Sequence, residues 1–174
     1  RKVDRDFFYA TFGGWDHHAG LKENLEGKLE AVNFGVTKMV EELKASGMWQ
    51  HTAIVFTSEF ARTLTQNDNI GSDHAWGGHY FMLGGAVKGG RIRGKYPDDI
   101  TEDGPLNIGR GRIIPTLSWD AIWTGVVEWL GVDTETELDY CLPNRNNTLD
   151  PEFQLFRRDD LFHPEIQNLF EHVD

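Results

Sequence analysis

The chain has 174 residues, enough for one domain with a core of its own. Its 17 basic and 28 acidic residues leave a formal net charge of −11, which argues against nucleic acid as a partner for the surface as a whole. The single cysteine, Cys141, excludes an internal disulfide and a cysteine-built zinc site, and no apolar run reaches transmembrane length.

The chain opens on Arg1 and enters a buried-type strand within a few residues, so it reads as the C-terminal part of a longer protein. Phe7 to Phe12 is apolar on both faces and predicts a central, parallel strand. Gly13-Gly14 turns the backbone, and Trp15-Asp16-His17-His18 follows. Leu21, Leu25, Leu29, Val32, Val36, Met39, Val40 and Leu43 recur every three or four residues, which predicts a helix over about residues 20–46 ending at Ser46-Gly47. The charged residues between them, Lys28 included, read as its solvated face.

Thr52 to Thr57 predicts a second strand, so that strand, helix and strand form a parallel unit with a right-handed crossover. Residues 63–72 are polar and turn-rich, and Tyr80 to Leu83 predicts a third strand. Arg91 to Gly94 reads as a small edge strand, and residues 95–112 as loop. Trp119 to Leu130 predicts a buried helix stopped by Gly131, with Trp119, Trp123 and Trp129 on its core side. Residues 134–174 read as a tail with Phe153, Leu155, Phe156, Leu161 and Phe162 as packing anchors.

Three clusters of chemistry sit at these strand boundaries, where open α/β sheets place their sites. Asp16, His17 and His18 offer mixed oxygen and nitrogen donors, which suit zinc, manganese or iron better than calcium or magnesium alone. The plainer alternative is that Asp16 caps the following helix. Glu59 follows a buried strand, where a carboxylate needs a metal or a cation; Arg62 is the local candidate for an ion pair. Ser58 stands in no nucleophile elbow. Asp73, His74 and His79 lie around Trp76-Gly77-Gly78, just before the third strand. Arg91, Arg93, Lys95, Arg110 and Arg112 form two glycine-flanked basic stretches that can steer a phosphate or sulfate, or simply be solvated.

Gly13-Gly14-Trp15-Asp16-His17-His18, Thr57-Ser58-Glu59-Phe60-Ala61-Arg62-Thr63, Ser72-Asp73-His74-Ala75-Trp76-Gly77 and Leu83-Gly84-Gly85-Ala86-Val87-Lys88-Gly89-Gly90 resemble the C-terminal half of the domain-of-unknown-function family 1501. Gly111-Arg112-Ile113-Ile114-Pro115-Thr116 and Trp129-Leu130-Gly131 extend the resemblance over about residues 5–145. That family is placed with the alkaline phosphatase and sulfatase superfamily. The resemblance therefore implies a three-layer α/β/α fold, a mainly parallel central sheet and a metal site at the strand ends. It implies Asp16, His18, Glu59 and His74 as ligands of a divalent metal (zinc, manganese, iron or calcium), with Asp73 adjoining; His17, His79 and Arg62 are additional candidates. His17 stands where the family has Thr, and Ala61 and Ala75 where it has Gly. Phe60 stands where the phosphatases carry a ligand histidine, which puts a second metal site in doubt.

The implied activity is hydrolysis of a small-molecule or glycan phosphate or sulfate ester, in an exported protein. The nucleophile is expected from an N-terminal remainder of the same protein. The alternative is a non-catalytic structural or binding protein with a degenerate metal site.

Overall fold

The structure, a computed structural model, describes residues 5–146 and 155–164. Its order is α1 (Leu21–Ala45), a single 3-10 turn (Trp49–His51), β1 (Ala53–Phe56), β2 (Phe81–Gly84), α2 (Asp120–Trp129), α3 (Glu135–Cys141) and α4 (Arg158–Leu161). The elements α1, α2, β1 and β2 fall where apolar periodicity places them, to within a few residues. Their arrangement does not follow the expected architecture.

Among the described residues the sheet has two strands, and they are antiparallel, with Ala53 opposite Gly84 and Phe56 opposite Phe81. The expectation of a three-layer α/β/α fold on a mainly parallel sheet is thus overturned. Parallel neighbours need a crossover between them. Residues 57–80 contain no helix; they loop over one end of β1 and return the chain in the opposite direction. The rings of Phe56 and Phe81 close the pair, stacked with centroids 4.3 Å apart.

Two further strands are not formed. Phe7 to Phe12 has strand composition but, among the described residues, no strand beside it, and Phe7, Phe8 and Tyr9 are exposed. Strand preference measures fit to a half-buried pleated surface, so without such a surface the preference has nothing to act on. Arg91 to Gly94 also stays irregular: Ile92 is exposed and the Arg93 guanidinium donates to the Asp160 carbonyl.

The core lies at the other end of the chain. Ala86, Ala121, Val126, Phe156, Leu161 and Phe162 are buried together, and Val55, Met82, Trp123 and Trp129 pack against them. Trp129 stacks on Phe162 at 4.8 Å. Burying a side chain of that size contributes about 1.5–3 kcal/mol. Phe162 pairs with Val87 in an isolated bridge, and the His163 amide donates to Ala86. The anchors Phe156, Leu161 and Phe162 therefore join β2 to α2, while Phe153 lies outside the described residues. Gly125 lets α4 approach α2: a Cβ there would stand 2.8 Å from the Arg157 carbonyl oxygen. Trp119, by contrast with Trp123 and Trp129, is half exposed and meets Tyr80 edge-on.

A charge network not apparent in the sequence fastens α3. Arg145 is 3% exposed and bonds Glu135 at 2.5 Å and Asp139 at 2.8 Å; Arg157 joins Glu128 and Glu135. Hydrogen bonds from Arg145 first, and Arg157 second, hold the Glu135 carboxyl below its ordinary value of 4.5. A depressed folded-state value gives stability that is present above the unfolded value and lost as pH falls. The melting temperature is expected to drop as pH falls below 4.5, and Glu135→Gln to shallow that drop. Parallel pH–melting curves for both proteins check this.

Candidate metal centre

Three segments meet at the N-terminal end of α1. The first is the loop Gly13–Gly20 that leads into the helix. Lys28 on α1 pins it, donating to the Gly13 carbonyl at 2.6 Å with its ammonium 4.6 Å from the Phe12 ring centre. Lys28 is thus more than a solvated position. The second segment follows β1 and carries Arg62 and Thr63. The third, residues 71–76, runs antiparallel to the second. Its pairing is set by the Thr63 amide donating to Asp73 (2.9 Å), the Ala75 amide donating to Ala61 (2.8 Å), and an Arg62–His74 bridge. The third segment also touches the first: the Ser72 amide donates to the His17 carbonyl at 3.1 Å.

This weave brings together side chains 58 residues apart in sequence. His74 Nε2 stands 2.8 Å from Asp16 Oδ1, and His18 Nε2 stands 3.1 Å from both that oxygen and His74 Nε2. Among the described residues these three form the one cluster of candidate metal ligands. The side chains are about half exposed, so the cluster opens to solvent.

The donor chemistry fits a cation. Asp73 Oδ1 lies 3.0 Å from His18 Nδ1, and an ionised carboxylate only accepts, so Nδ1 carries the proton. The Nε2 lone pair of His18 is then free and faces the cluster, the arrangement of an imidazole ligand held by an outer carboxylate. In a tetrahedral site with bonds of about 2.0–2.1 Å, donors stand about 3.3 Å apart, close to the triangle formed here.

The surrounding charges support the same reading. Arg62 donates to Asp16 Oδ1 at 2.7 Å and to the Ser72 carbonyl. The Arg62 bond, followed by that from His74, pulls the Asp16 carboxyl from 3.8 down to about 2. Asp16 is therefore ionised at neutral pH. It does not cap α1, which begins after Gly20 with no side-chain cap. Asp73 is held far below the usual carboxylate range, by Asn67 first, then His18 and Arg110.

The expected site residues thus divide by position. Asp16, His18 and His74 converge. Asp73 touches His18 and orients it. Arg62 bonds Asp16 within the same site. Glu59 accepts from Ser58 Oγ at 3.0 Å and lies within electrostatic reach of His74, outside the triad. His17 turns away with Nε2 buried and unpartnered among the described residues, and His79 faces Tyr96 at 6.3 Å. Arg93 serves the α4 contact, and Arg91 is exposed on a separate loop. Phe60 lies against the His74 ring, with centroids 4.4 Å apart.

Two supports were not foreseen as such. Arg110 donates to Asp73 Oδ2 at 2.5 Å. Asn67 donates to Asp73 Oδ1 (2.9 Å) and the His18 carbonyl (3.0 Å), while its own oxygen accepts from the Asn69 and Gly71 amides. The Asn67-Asp68-Asn69 run carried the signal, because asparagine builds such turns with its side chain.

A family model described as "Protein of unknown function (DUF1501)" matches residues 1–108. The chain belongs to this family. The match includes all three clustered residues together with Arg62, Asn67 and Asp73, and stops just short of Arg110. No curated protein and no solved structure matches this DUF1501 member. No helix among its described residues is long and apolar enough to cross a membrane.

One feature of the turn costs stability. Ile70, a β-branched residue, has φ of 57° and is exposed. That conformation costs an L-residue about 1–2 kcal/mol. Ile70→Gly is expected to raise stability by about 1 kcal/mol in equilibrium urea unfolding. Unchanged or lowered stability would show that the Ile70 side chain offsets the strain.

Proposed function

We propose that this protein is a divalent-metal hydrolase acting on phosphate or sulfate esters. The observation that carries the reading is the meeting of Asp16, His18 and His74 within about 3 Å of one another, with His18 oriented by Asp73. A divalent cation held there supplies a Lewis acid for an ester oxygen. The protein's own groups do the rest. Asp73 keeps His18 in the ligating tautomer, and Arg62 keeps Asp16 ionised and in place. Arg62 also sets a guanidinium beside the cluster, where it favours an anionic substrate.

The half-exposed triad favours a site with an open position over a closed structural metal. Motif resemblance to the alkaline phosphatase and sulfatase superfamily supports the ester chemistry, although the antiparallel strand pair does not reproduce that superfamily's sheet. By the same resemblance, the nucleophile is proposed to precede Arg1. Ser58 stands outside the triad, with its hydroxyl engaged by Glu59.

The test uses the full-length protein, loaded in turn with zinc, manganese, iron and calcium, against phosphomonoesters and sulfate monoesters. Turnover is expected with at least one pair and is expected to vanish in the Asp16→Ala, His74→Ala double variant. Full activity in that variant would sink the reading.

A further inference from the structure

A concavity adjoins the triad. Its volume is about 430 Å³, within the range of small-molecule sites, and it is lined by Gln66, Asn67, Asp68, Asn69, Asp73 and Arg110. We propose that this pocket receives an uncharged, polyhydroxylated part of the substrate, a sugar or polyol. The inference rests on the ester-hydrolase reading and assigns it a substrate class.

The two sites share Asp73. One carboxylate oxygen holds His18 and the other holds Arg110, so the pocket lies across a single side chain from the triad. One small ester spans that distance, with its anionic end at Arg62 and the triad and its alcohol portion in the pocket.

The lining selects the chemistry. All six residues are polar, which leaves no platform for a nucleobase and no wall for an acyl chain. Two carboxylates against one guanidinium disfavour a second anion, and Arg110 disfavours an ammonium group. A hydroxyl both donates and accepts, and this wall offers both functions. Asp68 accepts, Arg110 donates, and the Gln66 and Asn69 amides do either.

The backbone of the wall is also held in place. Both functions of the Asn67 amide are committed to the turn and to the triad loop. The Asn69 and Ile70 carbonyls accept from Gly20 and Leu21 at the start of α1. A pre-set backbone loses little entropy on binding.

The experiment is a two-dimensional amide NMR titration of the full-length protein, with zinc and after zinc removal. The probes are methyl glucoside, methyl galactoside, methyl mannoside and myo-inositol, each at tens of millimolar or so, a range suited to weak ligands. At least one is expected to shift the amides of residues 66–69 and 110, with or without zinc. The Asp68→Ala, Asn69→Ala pair is expected to weaken that binding about tenfold or more, the effect of one charge-assisted hydrogen bond. Gln66→Ala, a change at an exposed position, is expected to weaken it in the same direction should the pair not fold. No shift from any probe, or shifts that survive all these substitutions, overturns the proposal.

Inorganic phosphate and sulfate, titrated in parallel, read the triad separately. Anion binding that needs zinc, without any sugar shift, sinks the pocket alone. Sugar shifts without anion binding keep the pocket and sink the ester reading.

Discussion

His74→Ala is expected to lower zinc affinity by more than about 100-fold, because it removes one of the three donors that the described residues bring to the cluster. Asp73→Ala is expected to cost less, between about 10-fold and 100-fold, because it acts through the orientation of His18. The ranking follows from geometry. His74 Nε2 lies in the triangle, whereas Asp73 reaches the triangle through the far nitrogen of an imidazole. Competition against a chromophoric chelator at neutral pH measures both constants. The zinc-induced rise in melting temperature should shrink in the same order. Equal affinities for His74→Ala and the parent protein would remove His74 from the site. A larger loss in Asp73→Ala than in His74→Ala would make Asp73 a direct ligand.

Gly71→Ala is expected to open the site without touching any of its donors. A Cβ at position 71 would lie 2.1 Å from the His18 carbonyl carbon, 2.2 Å from its oxygen and 2.5 Å from the Ala19 nitrogen. All three are backbone atoms of the segment that presents His18, so no side chain can swing aside. The turn at 67–71 must move off the 17–21 segment. That breaks the bonds from Ser72 to His17 (3.1 Å), from Gly20 to Asn69 (3.2 Å) and from Leu21 to Ile70 (3.0 Å). Overpacking and lost backbone bonds together should cost the loop about 3 kcal/mol. Hydrogen exchange is expected to quicken at Gly20, Leu21 and Ser72, and zinc affinity to fall with it. Exchange in α2 should be unchanged, because Gly71 has no part in the core around Phe162. Unaltered exchange at Ser72 would mean that the loop absorbs the methyl group elsewhere.

These effects show which parts of the site were readable in advance. Asp16, His18 and His74 stand out because polar ligand types follow hydrophobic runs and glycine turns. Glu59, expected as a ligand, and Asp73, expected to adjoin, stand outside the triangle of these three. Residue type and spacing do not reveal which oxygen faces which nitrogen. The pairing of residues 61–63 with 73–76 decides that Asp73 stands behind His18 rather than beside it. Arg110 lies 37 residues from Asp73 and was legible only as one member of a basic stretch.

The fold divides in the same way. Periodicity alone determined that α1, α2, β1 and β2 exist and nearly where they end, because a helix stripe or a short apolar run is a local property. The sequence by itself also determined the acidic surface and the donor types available to a metal. Strand direction is not local. A parallel sheet required Phe7 to Phe12 to pair beside β1, and that segment has no strand partner among the described residues. Only the tertiary structure decided that residues 57–80 return the chain antiparallel, and that this return folds Arg62, Asp73 and His74 onto the Asp16–His18 loop. The physical reason is that a backbone amide or carboxylate can be satisfied by many partners of the same chemistry. The choice among them is made by which segments can approach, here by a glycine at 71 that allows two backbones into contact.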